Sequence, residues 1–343
     1  ELLQEITPAT EGIIVSVGLP VEYQGNLYNT ACLIVDGSIQ GFAAKQNLAG
    51  QGLHYEPRWF QAWKSGIAVD FPINDITVPL GDVVFDCGGV RLGFEICEDA
   101  WVADRPGAGL AQRGVDVLLN PSASHFAFGK NAVRRRFVVG GSRAFNVAYL
   151  YANLLGNEAG RAIYDGDCMI ACCGKMLASG SRFSFADSLL TETAIDLDLI
   201  TMHKTRAGTA NPEASRDVGR EVQCAFTFHD TEAATTQDQS DSWSQSGELK
   251  LEEFTRAEAI GLFDYMRKSH SRGFVVSLSG GADSATVACL VVQMVAMAVA
   301  DLGLQGVKNK LSYFAELDSC RDEKDIVQAL LTCVYQATRN SSD

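Results

Sequence analysis

The chain has 343 residues, of which 47% are hydrophobic and 20% are charged, a composition typical of a globular protein of about two domains. The formal net charge of −14 argues against a general nucleic-acid or membrane-surface binder. The longest apolar stretch, residues 286–300, falls short of the ~18 residues that span a bilayer, so it indicates a buried helix. The ten scattered cysteines form no zinc-binding pattern, which favours reduced core cysteines and a cytoplasmic location.

Strands and helices alternate over the first 200 residues. Residues 12–20 indicate a strand, and residues 28–45 a β-hairpin that turns at Asp36-Gly37. Further strands are predicted at 91–96, 115–119, 147–153, 167–173 and near 193–198, with a helix over 131–145. This order predicts a layered α/β domain over residues 1–200.

The second part of the chain has a different texture. Residues 201–250 include the polar, acidic stretch 235–242 and are predicted to form a linker or extended loop. The spacing then predicts a helix over 252–269, a strand over 274–278, a helix to about 302, and a helix or helix-to-strand passage over 326–338. We expect residues 251–343 to be the first part of a doubly wound, Rossmann-like domain, and thus incomplete.

Three residues in the first part could form a reactive group. Cys97 follows a predicted strand, and a cysteine at a sharp strand exit can present its sulfur to a pocket. Lys45 follows another apolar strand and could stabilise a thiolate or an oxyanion there. The alternatives are a buried free cysteine, a surface lysine, and a Glu56 carboxylate that pairs with Arg58 on the surface.

Other polar residues near these positions allow more than one interpretation. Tyr55 could form a pocket wall or pack in the core. Ser122, Ser124 and His125 follow a predicted strand, but the absence of Gly-x-Ser-x-Gly argues against a serine hydrolase. The arginine run 134–136 indicates a solvated helix face.

A glycine turn connects the strand at 274–278 to the long helix that follows. Backbone N–H groups in such a turn can approach a phosphate closely, and the helix N-terminus adds partial positive charge. The kinase-type pattern Gly-x-x-x-x-Gly-Lys is absent. The turn therefore predicts an ATP-phosphate site formed by residues Ser279, Gly280, Gly281, Ala282, Asp283 and Ser284.

Several blocks together resemble the nitrilase superfamily of carbon–nitrogen hydrolases, and more narrowly the glutamine-dependent NAD synthetase family. The matching blocks are Lys-Gln-Asn-Leu at 45–48, Tyr-Glu-Pro-Arg-Trp-Phe at 55–60, Glu-Ile-Cys-Glu-Asp-Ala-Trp at 95–101, Asn-Pro-Ser-Ala-Ser at 120–124, Tyr-Ala-Asn at 151–153 and Tyr-Asp-Gly at 164–166. The Ser-Gly-Gly-x-Asp-Ser of 279–284 resembles the pyrophosphate loop of ATP pyrophosphatases, and residues 271–278 and 334–342 resemble the synthetase domain.

The resemblance implies an αββα sandwich with Cys97 as nucleophile, Lys45 as catalytic lysine and Glu56 as supporting glutamate. Tyr55, Glu98, Ser122 and Ser124 are the expected glutamine contacts. Glutamine would supply ammonia to an adenylate of deamido-NAD, made with ATP and Mg²⁺ held by Asp283, and the product would be NAD. A homo-oligomer with an internal ammonia tunnel is also implied, with neither nucleic-acid nor membrane partners.

One departure from the family pattern concerns the general-base glutamate, which the family carries on an early strand. Neither Glu1, Glu5 nor Glu11 matches that motif, and Glu95 and Glu98 do not match it either. We therefore expect the 343-residue chain to hydrolyse glutamine poorly and to form no NAD from ammonia. Two alternatives stay open: another amidotransferase that joins the same two domain types, and a non-catalytic scaffold for oligomer assembly.

Overall fold

The computed structural model describes residues 2–157, 162–208, 218–229 and 241–337. A short helix α1 (Leu2–Ile6) precedes a five-stranded sheet, whose strands are β1 Ile14–Tyr23, β2 Asn26–Val35, β3 Ser38–Ala44, β4 Ala68–Ile73 and β5 Ile76–Gly81, in the order β1-β2-β3-β5-β4. The predicted hairpin is confirmed: β2 and β3 pair antiparallel, and Asp36 and Gly37 both have positive φ in the turn.

The second sheet has seven strands and carries the helices of this part of the molecule. Its first four strands are β6 Val83–Cys87, β7 Val90–Phe94, β8 Val117–Ser122 and β9 Ala148–Asn153. The chain then forms a separate small hairpin of β10 Leu155–Asn157 and β11 Ile163–Asp165. The last three strands of the sheet are β12 Met169–Cys172, β13 Lys175–Ser179 and β14 Arg220–Cys224. The order of the seven strands is β13-β12-β9-β8-β7-β6-β14. Because β7, β8 and β9 are parallel, helices α2 (Pro106–Gln112) and α3 (Lys130–Phe145) connect them. The carboxyl ends of these three strands meet at one edge of the sheet.

The two sheets pack face to face, and alternation along each strand separates an inner face from an outer one. Leu33 and Val35 of the first sheet share a buried cluster with Phe85 and Phe94 of the second. The outer face of the second sheet is covered by α2 and α3, which contribute Leu110 and Val138 to a further cluster, while α1 lies on the outer face of the first sheet through Leu3. The predicted αββα sandwich is confirmed.

Two predictions in this region are wrong. No strand forms near residues 193–198: Asp196 instead caps helix α4 (Leu197–Ala207), where its side chain accepts a hydrogen bond from the Leu199 N–H at 3.0 Å. Residues 201–250 are not a linker throughout, because 201–207 continue α4 and β14 pairs in parallel with β6. Most of the acidic stretch, residues 235–240, lies outside the described residues; the domain boundaries remain a prediction.

The C-terminal part begins a second α/β unit. Helix α5 (Leu249–Ser269) leads to β15 (Phe274–Leu278), helix α6 (Ala282–Lys310), helix α7 (Glu323–Leu330) and β16 (Leu331–Tyr335). The predicted helix, strand and helix-to-strand passage are confirmed, and β15 pairs in parallel with β16. Helix α6 breaks at Gly303 (φ 71°, ψ 163°), next to its predicted end, and residues 338–343 lie outside the described ranges.

Helix α6 has a longer apolar stretch than predicted, and more of its surface is exposed. By length and composition alone it could span a bilayer, so the statement that no apolar run is long enough is wrong. Val291, Met294 and Val295 pack in the core with α5, whereas Val287 and Val292 on the same helix are exposed. The expectation of a buried helix therefore holds for one face only.

Candidate active site

Cys97 lies at a sharp turn at the end of a central strand. After β7 the chain continues through Ile96 into a short 3-10 helix that begins at Cys97. Cys97 has φ +50°, a left-handed conformation that costs free energy for a residue with a Cβ atom and is often found at functional sites. The predicted sharp strand exit at Cys97 is confirmed by this backbone conformation. The Cys97 side chain is half-buried, so it keeps some contact with solvent.

The Asp99 carboxylate fixes this turn. It accepts hydrogen bonds from the Ile96 N–H (3.0 Å), from the Asn47 N–H (2.8 Å) and from the Gln46 N–H (3.2 Å). The turn around Cys97 is thereby joined to the segment that follows β3 in the other sheet. Burial raises the pKa of Asp99 to about 6, while the hydrogen bonds from these donors act in the opposite direction and favour the carboxylate. Asp99 was not predicted as part of the site, although an acidic residue two positions after the cysteine is a usable signal for such a cap.

The Glu95 carboxylate is held by hydrogen bonds to residues behind the turn. It is fully buried and accepts hydrogen bonds from Arg105 Nη2 (2.6 Å), the Tyr149 hydroxyl (2.7 Å) and the Gly107 N–H (2.8 Å). Burial, and then the Glu95 charge, hold the pKa of Tyr149 well above its usual range. Glu95 therefore offers no free carboxylate oxygen to Cys97, which agrees with its exclusion as a general base.

Lys45 and Glu56 form a buried ion pair. Lys45 follows β3 and is 2% exposed, and its Nζ donates to Glu56 Oε2 at 2.5 Å. Glu56 also accepts from Asn29 Nδ2 (2.6 Å) and the Ala49 N–H (2.7 Å), so the loop after β3 folds around its carboxylate. The surface alternatives are thus excluded for both residues, and Arg58 instead lies over the Trp59 ring.

A cleft of about 580 Å³ brings these groups together. Its wall includes the predicted residues Cys97, Lys45, Glu56, Tyr55 and Ser122, and also Asn29, Thr30, His54, Phe60 and Asn153, which the sequence analysis did not single out. Among the described residues on this wall, Glu56 is the one carboxylate.

Two of the predicted glutamine contacts lie off the wall. Ser124 is 2% exposed and is held through its backbone by Asn153, which accepts from its N–H at 2.8 Å. Glu98 follows Cys97 but is absent from the cleft lining, and burial raises its pKa. A contact between either residue and a substrate stays a prediction.

The arginine run does not form a solvated face as predicted. Arg134 is fully buried and pairs with Asp165, and its Nε lies 3.9 Å from Asp167 Oδ2, whereas Arg136 is exposed. Burial raises the pKa of Asp167 to about 7, opposed by the Arg134 charge. This buried cluster supports the segment from Ser122 to Lys130 from behind, because Arg134 Nη1 donates to the Ser124 carbonyl at 3.2 Å.

The glycine turn after β15 has the predicted strand–turn–helix form. Gly280 has φ +78°, and the turn is exposed. Ser284 Oγ donates to the Gly281 carbonyl at 3.2 Å and lies 3.2 Å from Ser279 Oγ, so the two hydroxyls sit together at the start of α6. Asp283 is exposed in the first turn of α6, and no group of three or more metal-binding side chains occurs among the described residues.

The chain is similar to known proteins over almost its whole length. The model of the carbon–nitrogen hydrolase family matches residues 4–204, and the NAD synthase model matches residues 255–335. The glutamine-dependent NAD(+) synthetases of Oryza sativa subsp. indica and Homo sapiens are 30% and 31% identical over 97% and 98% of this chain, and the aligned region covers 47% and 49% of those proteins.

Solved structures agree. A glutamine-dependent NAD(+) synthetase from Cytophaga hutchinsonii has a TM-score of 0.77 and 38% identity over 99% of this chain and 50% of its own. The Acinetobacter baumannii enzyme, solved with ADP, shares the fold at 18% identity, with a TM-score of 0.59 over 97% of this chain and 52% of its own. The chain spans about half the length of the relatives it matches. It belongs to the carbon–nitrogen hydrolase family, in the group that joins this domain to an NAD synthase domain.

Proposed function

We propose that this chain carries the glutamine-hydrolysing site and the ATP-phosphate loop of a glutamine-dependent NAD synthetase. The observation that carries the proposal is the cleft itself: Cys97, on a left-handed turn, shares a wall with a buried lysine that is held by Glu56. A cysteine and a fixed cation in one partly desolvated cleft suit acyl transfer from an amide.

The proposed hydrolysis proceeds through a thioester. The Cys97 thiolate attacks the carboxamide carbon of glutamine, and the carbonyl oxygen becomes an oxyanion that Lys45 and the Glu98 backbone N–H stabilise. The C–N bond then breaks, and the departing nitrogen takes up the proton that the Cys97 thiol released, so that it leaves as ammonia. Water hydrolyses the glutamyl thioester, which releases glutamate and restores the thiol. Tyr55 and Ser122 on the wall are the proposed side-chain contacts of the substrate, and Glu56 orients Lys45. Glu98 would contribute through its backbone N–H, and Ser124, which lies off the wall, would act by holding the segment of Ser122 through its backbone.

The second step would use the turn at 279–284. Backbone N–H groups of Gly280, Gly281 and Ala282, together with the Ser279 and Ser284 hydroxyls, would bind the pyrophosphate of ATP at the N-terminus of α6. The single carboxylate of Asp283 fits Mg²⁺, which is usually bound by one or two carboxylates with phosphate oxygens and water, and which would neutralise phosphate charge. The match to the NAD synthase model and the ADP bound by the A. baumannii relative support nucleotide use.

The overall reaction would convert deamido-NAD, activated as an adenylate, into NAD with ammonia from the first site. We also propose a cytoplasmic location and a homo-oligomer, in line with the scattered reduced cysteines and the family resemblance. The similarity to NAD synthetases, rather than to other proteins with the same two domain types, disfavours the alternative amidotransferase. The scaffold alternative leaves the buried Lys45–Glu56 pair unexplained.

The proposal is tested by covalent labelling, which requires no turnover. A glutamine-analogue diazoketone should modify Cys97 stoichiometrically, glutamine should protect it, and mass spectrometry should locate the adduct. Cys97→Ala should abolish labelling, whereas Cys289→Ala, which removes an exposed thiol on α6, should not change it. Labelling that glutamine does not slow, or that persists in Cys97→Ala, would show that the cleft is not a glutamine site.

A further inference from the structure

Two histidines are in contact beside the Cys97 cleft, and one of them, His54, lines it. His54 lies in the loop after β3, two residues before Glu56, and is part of the cleft wall. His125 follows Ser124 on the segment after β8. His54 Nε2 and His125 Nδ1 are 3.0 Å apart, and the ring centroids are separated by 4.9 Å. The pair is therefore a direct link between two segments from different sheets.

The Lys130 ammonium favours one tautomer of the histidine pair. Its Nζ lies 3.4 Å from His125 Nδ1 and 5.5 Å from the centre of the Trp101 ring. An ammonium group has only donors, so this contact favours the tautomer in which His125 Nδ1 is the acceptor and His54 donates from Nε2. The link survives one proton on the pair, because the other ring still offers an acceptor nitrogen, but it is lost when both imidazoles are protonated, since two donors then face each other.

The charges around the pair keep it neutral near pH 7. Lys130, Lys45 and Glu56 face His54, and Lys130, His54, Arg134 and Asp165 face His125. Burial, followed by the Lys130 charge, lowers the pKa of both histidines, and that of His125 falls to about 4. As the pH falls from the ordinary histidine range near 6.5 toward 4, the state with both rings protonated, in which the link is broken, becomes increasingly favoured.

We propose that the His54–His125 pair is a positioning element of the active site, which holds the loop of Tyr55 and Glu56 against the segment of Ser122 and thereby sets the width of the cleft for its amino-acid substrate. This inference rests on the proposed function of the cleft. Neither histidine takes part in bond making or breaking. Loss of the link should therefore weaken substrate capture while the intrinsic reactivity of the Cys97 thiol stays the same.

Labelling kinetics separate these two effects. The concentration of the diazoketone that gives half-maximal labelling rate measures capture, and the rate with iodoacetamide, a small electrophile, measures thiol reactivity. His54→Ala and His125→Ala should each raise the half-saturating concentration about three- to tenfold, as expected for one lost hydrogen bond, with little change in the iodoacetamide rate. His203→Ala on α4, outside the cleft wall, should change neither.

A conservative double variant tests the tautomer. His54→Gln supplies an amide N–H near the Nε2 position, and His125→Asn supplies an acceptor oxygen near Nδ1. Together they should restore most of the capture lost in the alanine variants. Between pH 6.5 and 4.5, the diazoketone rate divided by the iodoacetamide rate should fall in the wild type but stay nearly level in the double variant, which cannot titrate there.

Several outcomes would overturn the inference. These are a half-saturating concentration within twofold of wild type in both alanine variants, an iodoacetamide rate that falls in parallel with the diazoketone rate, or equal acid sensitivity in the double variant. If the diazoketone fails to label the wild type while iodoacetamide does, the proposed function fails. Amide hydrogen exchange over residues 54–58 then still tests the link, because His54→Ala should accelerate it and His203→Ala should not.

Discussion

Replacing Glu56 by glutamine removes the negative charge that the buried Lys45 ammonium contacts. The exposed fraction is 2% for the lysine side chain and 12% for the glutamate. Loss of one partner of a buried pair costs ~3–5 kcal/mol, because the remaining charge stays buried without compensation. A carboxamide also has one acceptor oxygen for the three donors that now meet the carboxylate: Lys45 Nζ, Asn29 Nδ2 and the Ala49 N–H. We expect Glu56→Gln to lower the free energy of unfolding by about 3 kcal/mol, the low end of that range, since Glu56 retains slight contact with solvent.

Urea denaturation followed by tryptophan fluorescence measures this loss, with an unchanged slope as the sign that only stability has moved. The matched control is Asp70→Asn: Asp70 pairs with Arg220, but the two side chains are 68% and 46% exposed, so the loss should stay below ~1 kcal/mol. The double variant Lys45→Met/Glu56→Gln should be less destabilised than the sum of the single changes, because it leaves no unpaired charge. A Glu56→Gln loss no larger than that of Asp70→Asn, or full additivity in the double variant, would refute the buried-pair reasoning.

Two further predictions concern the groups behind the active-site turn. Arg134→Leu should lower the free energy of unfolding by ~3–5 kcal/mol in the same urea assay, because it removes one of the arginine partners of the fully buried Asp165. The exposed Arg136 is the control, and Arg136→Leu should stay within ~0.5 kcal/mol of wild type. Equal losses of stability in the two variants would contradict the burial argument. Gly107→Ala should lower the free energy of unfolding by ~1–3 kcal/mol, since the new Cβ atom would lie 2.5 Å from Glu95 Oε1. Gly109 has open space around it, so Gly109→Ala should stabilise α2 by ~0.5–1 kcal/mol. A Gly107→Ala protein as stable as wild type would show that the Glu95 side chain can move aside.

Local patterns were sufficient to predict the parts of the fold that depend on neighbouring residues. The Asp36-Gly37 turn follows from residues that tolerate positive φ, and the β15–turn–α6 unit follows from a β-branched run, glycines and an apolar helix. Cys97 could be recognised because the strand before it ends abruptly. In each case the sequence signal and the structure lie within about ten residues of each other, the range over which hydrophobic periodicity and turn chemistry act.

Features made by distant segments could not be predicted in this way. The strand β14 is separated by more than 130 residues from its partner β6, and its polar sequence, with Arg220 and Glu221, gives little strand signal. The Lys45–Glu56 pair depends on how the loop after β3 folds around a carboxylate, which no propensity describes. Burial of Arg134 did have a signal: it is four residues before Val138 and eight before Ser142, and all three are buried on one face of α3. The prediction of a solvated face treated the three adjacent arginines alike, although successive side chains of a helix point in different directions.

The two turns to which we assign chemistry share a positive φ but carry different residue types. Each follows a strand and each contains a residue with positive φ, Cys97 at +50° and Gly280 at +78°. At the first turn the proposed chemistry uses a side chain, which glycine could not supply. The strain, of order 1–3 kcal/mol, is offset by the Asp99 carboxylate, which accepts hydrogen bonds from three backbone N–H groups. At the second turn the proposed phosphate binding uses backbone N–H groups, so glycine is suitable, its positive φ costs little, and no comparable buried cap is required. The residue type at these two positive-φ positions is thus consistent with a side chain as the proposed reactive group at the first turn and the backbone at the second.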